Sequence, residues 1–326
     1  MLAEQTREES LDASVRAQLD VIEEALLEAA RADSPLVTEV ARHIISAGGK
    51  RFRPLLVVLA SQFGRSVVPQ DDVVKAAVVV ELTHVASLYH DDVMDEAQLR
   101  RGSPSANARW GNTVAILVGD LLFARASDTV ADLGPEFVRI QARTFSRLVQ
   151  GQIAETVGPE NADPLDHYLQ VVADKTGSLI ATSATFGAKI ARAEPSVQAA
   201  LAAFGEEIGI VFQLSDDIID ITSDVTGKTP GTDLREGIPT LPTLLARRTA
   251  DPADDRLRSL LDSDLRDDAA LAEVLRLLRA HPAIDQARAE VRRRAERARS
   301  LLNGLPVGEA RAALEELCDS VVTRTA

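Results

Sequence analysis

Two apolar helical stretches that each end in a row of carboxylates constrain this chain more than anything else in it. The first is Leu88-Tyr89-His90-Asp91-Asp92-Val93-Met94-Asp95, which closes the apolar, alanine-rich and β-branched segment 73–89. The second, Phe212-Gln213-Leu214-Ser215-Asp216-Asp217-Ile218-Ile219-Asp220, repeats the device. Buried charge is costly unless it is paired or holds a metal. In a helix Asp91 and Asp95 are i,i+4 neighbours on one face. So are Asp216 and Asp220, and Gln213 sits three residues before Asp216 on the same side. Asp92 lies about 100° round the axis from Asp91. Hard oxygens so placed suit Mg²⁺, which takes one or two carboxylates and fills its shell with waters and substrate phosphates. A lone acidic triplet at a helix end is usually a solvated terminus. Two DDxxD copies, each after an apolar helix, favour metal binding instead. Two such clusters facing each other would repel, and cations would relieve that.

The pattern along the chain is helical, with no alternating strand and no convincing β-hairpin. Helices are expected over 10–31, 37–47, from near Pro54, over 71–95, and from Asn112 or Thr113 through Val130. Further helices are expected over 135–155, 165–191 and 195–221. Residues 222–239, with Gly227, Pro230, Gly231, Gly237 and Pro239, read as a long functional loop. Beyond a segment at 240–250, helices near 254–262, 267–280, 282–303 and 307–324 read as outer packing. The 326 residues admit two domains. No Pro/Gly/Ser-rich linker divides them, however, and the two acidic motifs must cooperate. The expectation is therefore a single all-α domain, a helical bundle over 1–326. Its catalytic core runs over about 40–245 and its peripheral helices over about 250–326.

Composition narrows the function. Hydrophobic residues make up 45% but aromatics only 3%, so the core must be built from Ala, Val, Leu and Ile. The formal charge, 36 − 50 = −14, argues against nucleic acid, which needs a basic footprint. The single cysteine, Cys318, rules out an intramolecular disulfide and points to a reducing cytoplasm. The stretch Met1–Glu9 is acidic and lacks the apolar run of a signal peptide. The most apolar segment is interrupted by Lys75, Glu81, Thr83 and His84, so no membrane span is expected.

Basic residues gather at a few points. Lys50, Arg51 and Arg53 follow Gly48-Gly49 at the start of a helix, where free N–H groups and guanidinium forks suit an anion. His84, two turns before Asp91 on nearly the same face, is either a core histidine or a donor to phosphate. Arg100 and Arg101 either complement the helix C-terminus or grip a diphosphate. Lys175 and Thr176 sit mid-helix beside Gly177, and Lys228 lies in the 222–239 loop, positioned to close over a ligand. His43, His90, His167 and His281 read as structural or exposed.

Taken together, these residues resemble one family. Gly48-Gly49-Lys50-Arg51-Phe52-Arg53-Pro54, His84, both Asp motifs, Arg100-Arg101, Lys175-Thr176, Gln213 and Gly231-Thr232-Asp233-Leu234-Arg235-Glu236-Gly237 match the trans-prenyltransferases, the all-trans isoprenyl (polyprenyl) diphosphate synthases. The match runs in order over about 40–245. It implies that Asp91 and Asp95, supported by Asp92, hold two Mg²⁺ on an allylic diphosphate, and that Asp216, Asp217 and Asp220 hold a third. Arg100, Lys175 and Lys228 would clamp that diphosphate. Lys50, Arg53, His84 and Arg101 would bind isopentenyl diphosphate, and Thr176 and Gln213 would line the place where the allylic cation forms. One departure is Ile238, where many relatives carry lysine. A homodimer, and a product handed on to a membrane, are also implied.

The small Ala86 and Ser87, before Asp91, stand where short-chain relatives tend to place an aromatic. A long product, hexaprenyl to decaprenyl, is therefore expected, with Phe145 a candidate tunnel floor. The alternatives are a short-chain farnesyl or geranylgeranyl diphosphate synthase, or a non-catalytic subunit of a heteromeric synthase. A terpene cyclase would have no use for the second basic site.

Overall fold

The computed structural model describes residues 2–64, 67–222 and 230–325, with side chains from residue 11 onward. Lys228 therefore lies outside the described residues. In chain order the helices are α1 (Leu2–Ala29), α2 (Pro35–Ser46), α3 (Phe52–Ala60) and α4 (Gln70–Met94). Strands β1 (Leu99–Arg100) and β2 (Ser103–Pro104) follow, then α5 (Ala106–Trp110), α6 (Asn112–Ala131), α7 (Pro135–Val157) and α8 (Pro164–Val172). A π turn, Ala173–Gly177, leads into α9 (Ser178–Ile190) and α10 (Pro195–Thr222). The chain continues through α11 (Thr232–Glu236), α12 (Leu241–Arg247), α13 (Asp255–Leu261), α14 (Asp268–Ala280), α15 (Pro282–Leu301) and α16 (Glu309–Thr323). The fold is all-α.

Local chemistry sets many of these boundaries. Ser34 caps α2 by accepting from the Val37 N–H, with Pro35 in the first turn, where its missing N–H costs nothing. Asp163 caps α8 and Asp267 caps α14 in the same way. The main departures from expectation lie where a few residues do unusual work. A two-rung antiparallel hairpin pairs Leu99 with Pro104 and Arg100 with Ser103, where no hairpin was expected. Its turn is Arg101-Gly102, both at positive φ, a conformation that alternating hydrophobicity does not signal. The helix expected over 165–191 is interrupted by the π turn, and the 222–239 loop contains α11.

Contacts group the chain into two compact units. One comprises Met1–Ser146, Leu179–Gly205 and Leu301–Leu314; the other comprises Arg147–Ser178, Glu206–Ser300 and Glu315–Ala326. In the first, α4 is buried nearly all round through Val73, Ala76, Val79, Val80, Leu82, Val85, Ala86 and Tyr89, and packs most extensively on α6. In the second, Ile221, Leu257, Leu261, Leu271, Val274, Leu278 and Ile284 form one apolar cluster. Helices α4 and α10 are long and apolar enough to cross a bilayer, but 72% and 56% of their most apolar windows are buried inside the fold.

Close backbone approaches fix the packing of the first unit. A Cβ on Gly187 of α9 would collide with the Val57 carbonyl of α3 and lie 2.9 Å from the Ala60 Cβ. Gly187→Ala is expected to lower stability by about 1–3 kcal/mol through overpacking, read as a drop in the thermal unfolding midpoint.

Candidate active site

The turn between α2 and α3 builds a basic cluster. Gly48 and Gly49 take positive φ, and so does Arg51. A Cβ on Gly49 would lie 2.9 Å from Arg51 Nη1 and 3.0 Å from the Arg101 guanidinium, so glycine lets two arginines close over the turn. Arg51 donates to Glu23 at 2.6 and 2.7 Å and to the buried Glu81 at 3.1 Å. Burial works against its charge, but these carboxylates outweigh it and raise its pKa. Arg53 is held differently. Burial, with Arg101 nearby, lowers its pKa to about 10 even though Glu81 opposes this, and its Nε is buried with no hydrogen-bond partner.

The hairpin turn places Arg101 so that it donates to the Ile44 carbonyl at 2.8 Å and to the Gly48 carbonyl. His84 of α4 lies among these cations. Burial first, then the field of Arg53, Arg101, Arg100 and Arg51, pushes its pKa well below the ordinary 6.5. A neutral imidazole surrounded by guanidinium groups gains from an incoming anion. Lys50 is exposed beside this cluster.

Seven residues along α4 the helix ends in its carboxylates. Asp91 and Asp95 are half-buried, and Asp95 is the C-cap residue. Asp92 is fully buried and accepts from Arg100, whose Nε lies 2.6 Å from Oδ1. Its other oxygen is buried without a partner, and burial raises its pKa against the pull of Arg100. Arg100 thus rests on Asp92, the inward carboxylate of the motif.

The second unit carries Lys175, Thr176, Gln213 and the second aspartate motif. On α7, Arg147, Gly151 and Glu155 recur every four residues along one face. Arg147 donates to Glu206 at 2.9 and 3.0 Å and to Asp174, and a Cβ on Gly151 would lie 2.9 Å from the Lys175 backbone nitrogen. Lys175 Nζ lies 2.6 Å from Glu155. The π turn thereby presents Lys175 and Thr176, and Thr176 donates to Gln213 Oε1 at 3.3 Å. π turns of this kind recur at functional sites.

The three carboxylates of the second motif have separate partners. Asp216 pairs with Arg324. Asp220 accepts from the Thr232 and Asp233 N–H groups, both at 3.3 Å. Asp217 is buried and accepts from the Tyr168 hydroxyl, from Gln213 at 3.2 Å and from the Leu241 N–H at 3.1 Å. Burial pushes Asp217 up to about 6 although all three donors oppose it. Asp217, expected with Asp216 and Asp220 to hold a metal, is the inward member of the three. Its side chain turns into the core, where it orients Gln213, and Asp216 and Asp220 stay half-exposed. Among the described residues, no three His, Cys, Asp or Glu side chains form a cation site by themselves.

The sequence profile of the polyprenyl synthetase family matches residues 34–278. This chain belongs to the polyprenyl synthetase family. Nonaprenyl diphosphate synthase of Mycobacterium tuberculosis is 48% identical over 96% of this chain and 94% of its own. The crystal structure of geranylgeranyl pyrophosphate synthase from Corynebacterium glutamicum, complexed with calcium and isoprenyl diphosphate, superposes with a TM-score of 0.86 at 45% identity, covering 97% of this chain and 98% of that one. A decaprenyl diphosphate synthase structure from Rhodobacter capsulatus gives 0.88 at 31% identity, covering 98% and 99%.

In this member of the polyprenyl synthetase family, several partners of the candidate residues were not expected from the sequence. Glu23, Glu81, Glu155, Tyr168 and Arg324 each hold a singled-out side chain. Glu81 had a signal, being a carboxylate inside an apolar helix; the others had none.

The pKa of His84 generates a test. Below about 6.5 the unfolded chain binds a proton that the folded His84 refuses, so folding stability falls as pH drops through that value. In denaturant titrations His84→Gln should remove this component. The stability difference between the two proteins should be constant above about pH 6.5 and shift in favour of the variant below it.

Proposed function

We propose that this chain is an all-trans polyprenyl diphosphate synthase, condensing isopentenyl diphosphate with an allylic diphosphate to give a long-chain product, and that residues 1–326 act as one catalytic domain. The observation that carries the reading lies on α4. His84 sits among arginines, and Asp91 and Asp95 follow about 10 and about 16 Å further along the same helix. One anion site built from cations and one built from carboxylates suit two diphosphates, one bound directly and one bridged by metal. A cyclase would need only the second.

The donor set fits a divalent cation, since Asp91, Asp95, Asp216 and Asp220 all offer half-exposed carboxylate oxygens. Asp91 and Asp95 would hold two Mg²⁺, and Asp216, with Asp217 and Asp220, a third. Bound Mg²⁺ supplies positive charge to the departing diphosphate, which lowers the barrier to C–O ionisation. Arg53, His84, Arg101 and Lys50 bind the isopentenyl diphosphate, whose double bond attacks the allylic cation. Arg100, which also pairs with Asp92, clamps the allylic diphosphate with Lys175 and Lys228. Thr176 and Gln213, fixed by Asp217 and Tyr168, turn oxygen dipoles toward the forming cation. The released diphosphate takes the proton.

A long product is supported by the small, buried Ala86 and Ser87. Phe145 meets Phe123 as a tilted ring pair at 4.4 Å, and Phe123 meets His90 at 5.6 Å, a candidate floor for the tail. The likeness to a geranylgeranyl synthase favours the short-chain alternative. With Mg²⁺, labelled isopentenyl diphosphate and farnesyl diphosphate, dephosphorylated products of six or more units are expected, and a stop at four would decide for the alternative. Ser87→Phe should shorten the product. Asp91→Ala should reduce kcat roughly 100-fold or more, as loss of transition-state charge stabilisation does.

We assign the protein to the cytoplasm, with its product passed to a membrane, and to a homodimer. On α6, Ile116 and Leu117 are 42% and 61% exposed, an apolar face suited to a second copy. Light scattering on the eluted protein should give twice the chain mass of 35.0 kDa. A monomer would refute the assignment.

A further inference from the structure

The chain that follows α16 reaches the second aspartate motif. Arg324 Nη2 lies 2.5 Å from Asp216 Oδ1, and the guanidinium carbon lies 5.0 Å from the centroid of the Phe212 ring. Phe212 and Asp216 are one turn apart on α10, so the flat cation spans both. The backbone around it is tied down. Val321 and Thr325 are buried, the Val321 carbonyl accepts from Ser215 Oγ at 3.4 Å, and the Thr325 carbonyl accepts from Arg288 Nε at 2.8 Å. The other arm of the fork, Nη1, is buried with no hydrogen-bond partner. An ordinary surface pair leaves the second arm to water; here that arm is buried and unsatisfied.

We propose that Arg324 is the exchangeable counter-ion of the second aspartate motif and a diphosphate-binding residue. It holds Asp216 until a divalent cation takes that carboxylate, and then turns its fork to the diphosphate that the cation accompanies. This rests on the synthase reading above. A cation ligated by Asp216 Oδ1 must displace Nη2, and a displaced guanidinium needs a new anion. Phosphate oxygens match its planar fork, and Nη1 already lacks a partner. Phe212 keeps the group in reach through the exchange. No covalent step is involved.

Two titrations test this on the full chain. Wild type and Arg324→Gln are titrated with Mn²⁺ alone, following the free ion by electron paramagnetic resonance. Both are then titrated calorimetrically with inorganic pyrophosphate at saturating Mg²⁺. Arg324→Gln should bind Mn²⁺ about two- to fivefold more tightly, because a competing half-exposed ion pair is gone. It should bind pyrophosphate about tenfold more weakly, because a charge-assisted fork is lost. Arg324→Lys, which keeps the charge without the fork, should resemble wild type toward Mn²⁺ and fall between the two toward pyrophosphate. Unchanged affinities overturn the proposal, and tighter Mn²⁺ binding with unchanged pyrophosphate binding overturns the exchange. If thermal unfolding shows Arg324→Gln to be misfolded, Arg324→Lys decides alone, and a wild-type pyrophosphate affinity then overturns the proposal. A wild type that shows no condensation activity while these shifts appear would refute the synthase reading and leave the role of Arg324 standing.

Discussion

The cost of placing charge in an apolar interior governs this molecule. Helix α4 is buried along most of its length yet carries Glu81, His84, Asp91, Asp92 and Asp95. Three of these keep their positions because their surroundings answer their charge or keep it off. Arg51 answers Glu81, Arg100 answers Asp92, and His84 stays neutral among cations. Replacing such pairs by apolar groups of similar size is often neutral or stabilising in other proteins, so stability alone does not account for them. Their yield is position, since a guanidinium or carboxylate held by a partner presents a fixed direction to a ligand.

Helix α10 applies the same rule to a different end. Its three aspartates have three kinds of partner: a guanidinium, a set of neutral donors, and two backbone N–H groups. Asp217 is the inward one and orders Gln213, and through it Thr176 on the π turn. The π turn itself is templated by the face of α7 bearing Arg147, Gly151 and Glu155. A regular helix would leave Lys175 and Thr176 on other bearings, because one extra residue per turn rotates everything that follows it.

Much of this was legible in the sequence. The all-α class, most helix positions and both aspartate motifs follow from periodicity of apolar residues and i,i+4 spacing, which are local and regular. The glycine pair at 48–49 belongs to the same local grammar. The hairpin at 99–104, the π turn and α11 did not show, because each is shorter than a period can reveal.

What the sequence by itself determined was which residues carry charge, carboxylate oxygen and apolar surface, and at what spacing along each helix. Only the tertiary structure decided which of them are answered, and by what. The partner of Asp216 lies at Arg324, and that of Arg51 at Glu23 and Glu81. Asp217 faces Tyr168 rather than solvent. Helical spacing fixes relations within a turn or two. A salt bridge across a hundred residues depends on how helices pack, which no local pattern encodes.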